Sequence, residues 1–495
     1  MKSALIASLA VAFSTGVALA QELPQKDSKW FTDAQAKIQE MVARQPNTKR
    51  AKNVILFTAD GNGVGTNYAI RLFSGQQAGG LGDDYVQPQE AFPNLALVKT
   101  YTTNGQTPDS APTASAMNTG VKSKNTMINV DESVSVSDCA GMAGHELKTF
   151  AEIVSENGKS VGVISTARIT HATPAGVYAK TVNRDWEDNS RLPEGCTNQK
   201  DIAAQLIDQM KAGVIDIALG GGRGHFIPAE VTDGEGKTGK RTDGQNLIEA
   251  AQANGAQYAW SDEDFAKLTL DGSPILGLFE SSHMKYEADR SGEPSLAEMT
   301  AASIKSLQSN ENGFYLSIEA GRVDHANHDG NGYRTLTDGK AFADAIALAD
   351  ELTNDEDTLI IVTADHEHAI SFNGYCGRGS PITGLCYDID DAGVKHTEEP
   401  LKGADGKPFT VIGFLNGVGS VLKEDKQWTG SRPELTNDEA MDKDYIQQAL
   451  IPMSSETHSG EDVAVMAKGP WAHLFDGVIE QNYIFHVMNY AVNAE

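Results

Sequence analysis

Cysteine is scarce in this chain, four among 495 residues, and basic residues are outnumbered 68 to 40 by acidic ones. The resulting net charge of -28 excludes a broad electropositive surface, and with it nucleic acid or an anionic membrane as a partner. No repeat of fixed period is visible. Beyond the first twenty residues no apolar run is long enough to span a bilayer. With 40% hydrophobic and 22% charged residues, the composition is that of a folded globular protein with a large core, built as one big domain with insertions or as two to three smaller ones.

Residues 1–20 read as a secretory leader: Lys2, an apolar stretch, then Ala18-Leu19-Ala20 before Gln21 as a small-x-small cleavage site. Export, to the periplasm or beyond the cell, makes disulfides the expected state of Cys139, Cys196, Cys376 and Cys386. Four cysteines allow three pairings, and joining Cys376 to Cys386 leaves Cys139 for Cys196 with the least folding distance. A four-cysteine zinc site is the alternative, without the C-x-x-C knuckles such sites use. The acid surplus fits either a salty habitat or simply an acidic secreted protein.

Apolar residues at helical spacing over 30–44 predict an amphipathic helix, so 21–50 forms a helical arm before the main domain, 51–495. The run NVILFT at 53–58 then reads as a buried strand emptying into Ala59-Asp60-Gly61-Asn62-Gly63. The same unit recurs, with helices over 147–156, 201–212, 296–307 and 340–352. Each is followed by a strand, over 161–164, 214–219, 314–318 and 358–363 respectively. This alternation predicts an α/β fold, with a large, mostly parallel sheet covered by helices on both faces. Residues 371–457 break the pattern and read as an insertion with one strand at 409–414, and a closing helix is expected over 478–492.

In such sheets ligands bind beyond the carboxyl ends of the strands, and the acids and histidines of this chain fall there. Asp324 and His328 are four apart, a spacing that puts both on one face of a helical turn. Asp365-His366, Asp60 and His458 supply further oxygen and imidazole donors, a set suited to zinc or magnesium rather than to a thiolate metal. Ser110, between Asp109 and a helix start that includes Pro112, is placed to meet an anion such as phosphate.

The segments TADGNG, TPDSAPTASA, THATPAG, LSIEAGRVDHANH, TADHEH and THSGEDV, in this order, resemble the signature set of the metal-dependent alkaline phosphatases. The resemblance implies a three-layer α/β/α sandwich with a crown-like insertion, and hydrolysis of phosphate monoesters with release of inorganic phosphate. By it, Ser110 takes the phosphoryl group, Arg184 holds two phosphate oxygens, Asp109 holds Arg184, and His325 lies beside the substrate. Asp324, His328 and His458 match a first zinc site; Asp60, Asp365 and His366, with Ser110, match a second. Asp60, Glu319 and Thr173 match a magnesium site. His171 stands beside it where the enteric bacterial form has Asp, and His325 stands where that form has Lys. Both histidines resemble the animal and some marine members, whose cysteine pairing the least-distance pairing also fits. Phe279-Glu280 with Glu293 resembles part of a calcium site in animal members, against a plain reading as an acidic loop. The family also implies a homodimer, with the arm and the insertion as contacts.

Three other functions compete. A sulfatase would need an arginine where this chain has Ala114, and a phosphodiesterase has no use for an arginine clamp like Arg184. A non-catalytic exported zinc-binding protein would need neither Ser110 nor Arg184.

Overall fold

The computed structural model describes residues 23–494, apart from 394, 421–422, 425–426 and 429. The leader expected over 1–20 lies outside the described residues. Contacts divide the chain between Pro46 and Asn47. The first unit holds helix α1 (Lys29–Ala43), which has no buried side chain.

The second unit begins with strand β1 (Asn53–Ala59), apolar apart from Asn53 and Thr58 and buried throughout. The strands that follow are β2 (Asn94–Lys99), β3 (Ser160–Arg168), β4 (Ile217–Gly221), β5 (Gln257–Ala259), β6 (Ile275–Leu278), β7 (Phe314–Ala320) and β8 (Thr358–Ala364). Then come the shorter β9 (Glu367–His368), β10 (Ile370–Phe372), β11 (Tyr387–Ile389), β12 (His396–Pro400), β13 (Ile412–Gly417), β14 (Lys423–Glu424), β15 (Gln427–Trp428), β16 (Ala449–Pro452) and β17 (His458–Ser459). The chain returns to the large sheet with β18 (Val463–Lys468) and β19 (Gly477–Glu480).

That sheet has ten strands in the order β19-β2-β18-β8-β1-β7-β3-β4-β6-β5. Every pairing in it is parallel except the two that β18 makes, with β2 and β8. Alternation along β1 sends Val54 and Leu56 into one apolar core and Ile55, Phe57 and Ala59 into the other. The first core is closed by α3 (Ser110–Thr119), α4 (Phe150–Glu156), α5 (Ala172–Tyr178), α6 (Ile202–Lys211), α7 (Leu247–Ala253) and the C-terminal helix Tyr483–Asn493. The second lies under Leu296–Leu307 and Gly332–Leu352. Helices therefore cover both faces of a mostly parallel sheet. Among the described residues, no helix is long and apolar enough to cross a membrane.

The cysteines form Cys139–Cys196 and Cys376–Cys386, which leaves none for a zinc site. Several boundaries depart from the sequence pattern. The helix expected from 147 starts at Phe150, because Thr149 and Glu152 form a reciprocal capping box. The helix expected from 340 starts at Gly332, where the Asn331 side chain accepts from the Arg334 N–H. Residues 477–480 extend the sheet beside β2 instead of opening the closing helix, and the strand expected at 409–414 runs from Ile412 to Gly417.

Candidate metal centre and nucleophile

Parallel strands end at one edge of the sheet, and their register places the acids there. Ala59 pairs with Ala364, so Asp60 and Asp365 emerge side by side, and Thr58 pairs with Glu319, which sets Glu319 two residues before Asp60 on the neighbouring strand. The turn after β1 needs Gly61 (φ 68°), whose absent Cβ would lie 2.3 Å from the His368 ring. The helix Arg322–His328 follows β7 and carries Asp324 and His328 one turn apart, with 3.4 Å between Asp324 Oδ1 and His328 Nε2. β17 pairs antiparallel with β9 and sets His458 opposite His368, with His458 Nε2 3.2 Å from Asp324 Oδ1.

Three groups of donor atoms result, each within 4.8 Å: Asp324, His328, His368 and His458; Asp60, Asp365 and His366; Asp60, His171 and Glu319. Thr173 faces Glu319. Their surroundings fit cations. Asp60, Glu319, Asp324 and Asp365 are all buried, and Glu319 Oε1, His171 Nδ1 and Thr173 Oγ1 have no hydrogen-bond partner. Burial, then the charges of Asp324 and Glu319, push Asp60 well above the usual carboxylate range. Burial raises Glu319 to about 7 and, with Asp60, Asp365 to about 6. Asp324 alone goes well down, because His328, His368 and His458 outweigh its burial. Carboxyls packed this closely ionise together only when positive charge stands between them.

Ser110 opens α3 behind Asp109, whose Oδ1 accepts from the Ala111 N–H at 2.8 Å. The helix closes at Gly120, which has a left-handed backbone (φ 78°). Ser110 Oγ lies 3.3 Å from both Asp60 Oδ1 and His366 Nε2, at the positive end of that helix. Arg184 donates to Asp109 Oδ1 at 3.1 Å and to His171 Nε2 at 3.0 Å. The His325 and His171 ring centroids are 5.4 Å apart. Burial and the Arg184 charge lower His171 well below its ordinary value, so the imidazole is neutral.

One member of the first group, His368, and its neighbour Glu456 carried no expectation. His368 Nε2 lies 2.7 Å from Asp324 Oδ1, and its Nδ1 is 2.5 Å from Glu456 Oε2. The H-x-H spacing of His366 and His368 was a usable signal, because residues two apart share a strand face. Nothing local marks Glu456, 88 residues from His368. Glu280 and Glu293 join none of the three groups. Glu280 pairs with the Lys285 ammonium at 3.2 Å, and Glu293 Oε1 accepts from the Lys285 N–H at 2.7 Å.

A sequence model of the alkaline phosphatase family matches residues 51–494. The tissue-nonspecific alkaline phosphatase of Gallus gallus is 39% identical, over 99% of this chain and 94% of its own length. The alkaline phosphatase of Gadus morhua is also 39% identical, over 94% of this chain and 97% of its own. Solved alkaline phosphatases share the fold. That of Thermus thermophilus has a TM-score of 0.64 at 23% identity, covering 92% of this chain and 94% of that one. That of the Antarctic bacterium TAB5 has 0.62 at 22%, covering 90% and 99%. The chain belongs to the alkaline phosphatase family.

Proposed function

We propose that this phosphatase is exported, acts on phosphate monoesters through a covalent phosphoserine at Ser110, and works with two zinc ions and one magnesium. The first zinc would be held by Asp324, His328 and His458. The second would be held by Asp60, Asp365 and His366 with Ser110, and magnesium by Asp60, Glu319 and Thr173 beside His171. When bound, such ions neutralise the converging carboxylates, lower the pKa of the serine hydroxyl and stabilise charge on the phosphate oxygens. The observation that carries the reading is Ser110 Oγ, 3.3 Å from two of these donors at a helix N-terminus.

The remaining work falls to the protein's own groups. Ser110 Oγ attacks phosphorus as the ester P–O bond breaks and the alcohol leaves. Water then cleaves the new Oγ–P bond and restores the serine hydroxyl. The planar fork of Arg184 holds two phosphate oxygens, and Asp109 fixes its orientation. A monoester has three free oxygens, so two can meet this fork while the third faces the metal ligands; a diester has only two to serve both.

Disulfides and the leader-like residues 1–20 support export to the periplasm or medium. A homodimer, with arm 21–50 and the crown-like insertion 371–457 as contacts, is supported by exposed Trp30 and Val42 in the arm and Leu415 and Leu450 in the insertion.

The test compares rates on an aryl phosphate monoester and the matching diester, at alkaline pH with zinc and magnesium, for wild type and Ser110→Ala. Monoester preference with a loss of at least about 10³-fold in the variant is expected. A diester preference, or activity indifferent to Ser110, would overturn the mechanism.

A further inference from the structure

Glu367 stands between His366 and His368, yet it belongs to none of the three donor groups. It is 5% exposed, and its carboxylate is spent on a helix in another part of the chain. Its Oε2 accepts from the N–H groups of Gly65 at 2.9 Å and Thr66 at 3.3 Å. Its Oε1 accepts from the Thr66 hydroxyl at 2.6 Å and from the His368 N–H at 3.1 Å. Gly65 and Thr66 lie in the first turn of α2 (Val64–Gln77), whose N-cap, Gly63, has no side chain to satisfy those donors. A Cβ on Gly63 would lie 2.4 Å from Glu367 Oε2, so the glycine is what lets the carboxylate reach the helix end.

The turn that Glu367 secures in this way is the one that carries Asp60. Only residues 61–63 separate Asp60 from α2, and Asp60 is shared by two of the donor groups. The inner tie between the two strand ends is the Gly61 N–H donating to Asp365 Oδ1 at 3.1 Å. The outer tie is Glu367 on α2. Both act across β1 and β8, which are hydrogen-bonded up to Ala59 and Ala364 and carry their ligands just beyond.

We propose that Glu367 is a positioning residue, a buried strut that sets Asp60 against Asp365 and His366 by holding the first turn of α2, without itself touching a metal. This rests on the reading of Asp60, Asp365 and His366 as zinc ligands. Glu367→Gln keeps the size but turns an N–H donor toward other donors, and Thr66→Val removes one donor from the opposite side. Neither changes a proposed ligand.

The experiment strips full-length wild type and both variants of metal and titrates them with zinc against a chromophoric chelator. Melting of the stripped proteins is followed in parallel. Wild type is expected to bind two zinc ions. In Glu367→Gln one of the two affinities should fall about tenfold or more and the other stay within about twofold, with a smaller fall at the same site in Thr66→Val. In a His458→Ala background, which weakens the other site, the strongest remaining affinity should be the one that Glu367→Gln lowers. Unchanged zinc affinities with a lower melting temperature would make Glu367 a helix cap only and overturn the proposal. So would an equal loss at both sites. A wild type that binds fewer than two zinc ions would overturn the underlying reading as well, and that result appears in the wild-type control alone.

Discussion

At the scale of single residues, the donors converge because strand ends and one helix face deliver them to a single edge of the sheet, and the strand-end donors were legible as polar residues after apolar runs. Asp60, Asp365 and His366 are the first polar residues after buried strands, and Asp324 and His328 share a helix face. What could not be read is what those donors touch. The contact of Glu456 with His368, or of Glu367 with Thr66, joins residues far apart in sequence. His171 illustrates a residue whose role is set by its surroundings. Its ring is neutral, Nε2 accepts from Arg184 at 3.0 Å, and Nδ1 has no partner, which makes it a poor companion for a hard cation that prefers oxygen. Replacing it with Asp adds a charged oxygen donor beside Asp60 and Glu319. His171→Asp should therefore bind magnesium roughly tenfold more tightly, measured by calorimetry on zinc-loaded protein. Equal or weaker magnesium binding would show that the imidazole does not limit that site.

At the scale of elements, strand-helix alternation carried the architecture, and failures came where side-chain caps or sheet pairing overrode periodicity. Thr149 delays α4 to Phe150, Asn331 starts the long helix at Gly332, and pairing with β2 draws residues 477–480 into the sheet. A buried ion network ties the end of β3 to the segment after Arg184. Arg168 at the strand end makes two bonds of 2.8 Å to Glu187, and Thr170 donates to the same carboxylate at 2.6 Å. Burial alone would raise the pKa of Glu187, but His225, Arg168 and Thr170 outweigh it and bring it to about 2. A folded value below the ordinary 4.5 means that the stabilisation is complete above about pH 4.5 and is lost as pH falls toward 2. In chelated protein, Glu187→Gln should cost about 2–3 kcal/mol at pH 7 by urea unfolding, since the half-buried Arg168 loses its charge partner. That difference should shrink steadily below pH 4.5. A gap that stays constant down to pH 3 would place the effect in packing rather than in charge.

At the scale of the whole molecule, a chain of net charge -28 is proposed to bind an anion, and the contradiction has to be resolved locally. Asp60, Glu319, Asp324 and Asp365 converge in one buried region. Asp109 already neutralises Arg184. Without metals, phosphate would face carboxylates and a single arginine that is already paired. The three divalent ions proposed, set against four carboxylates, would instead leave a positive balance of about two, matched to a phosphate dianion. The acidic exterior is then no obstacle, because at physiological salt its field is screened within about 8 Å. Metal removal should accordingly reverse the sign of the site. Chelated protein should bind inorganic phosphate at least about a hundredfold more weakly than protein reloaded with zinc and magnesium, measured by calorimetry at fixed pH and ionic strength. Equal affinity before and after chelation would mean that Arg184 and the first turn of α3 hold the anion unaided, and the charge balance proposed for the centre would fall.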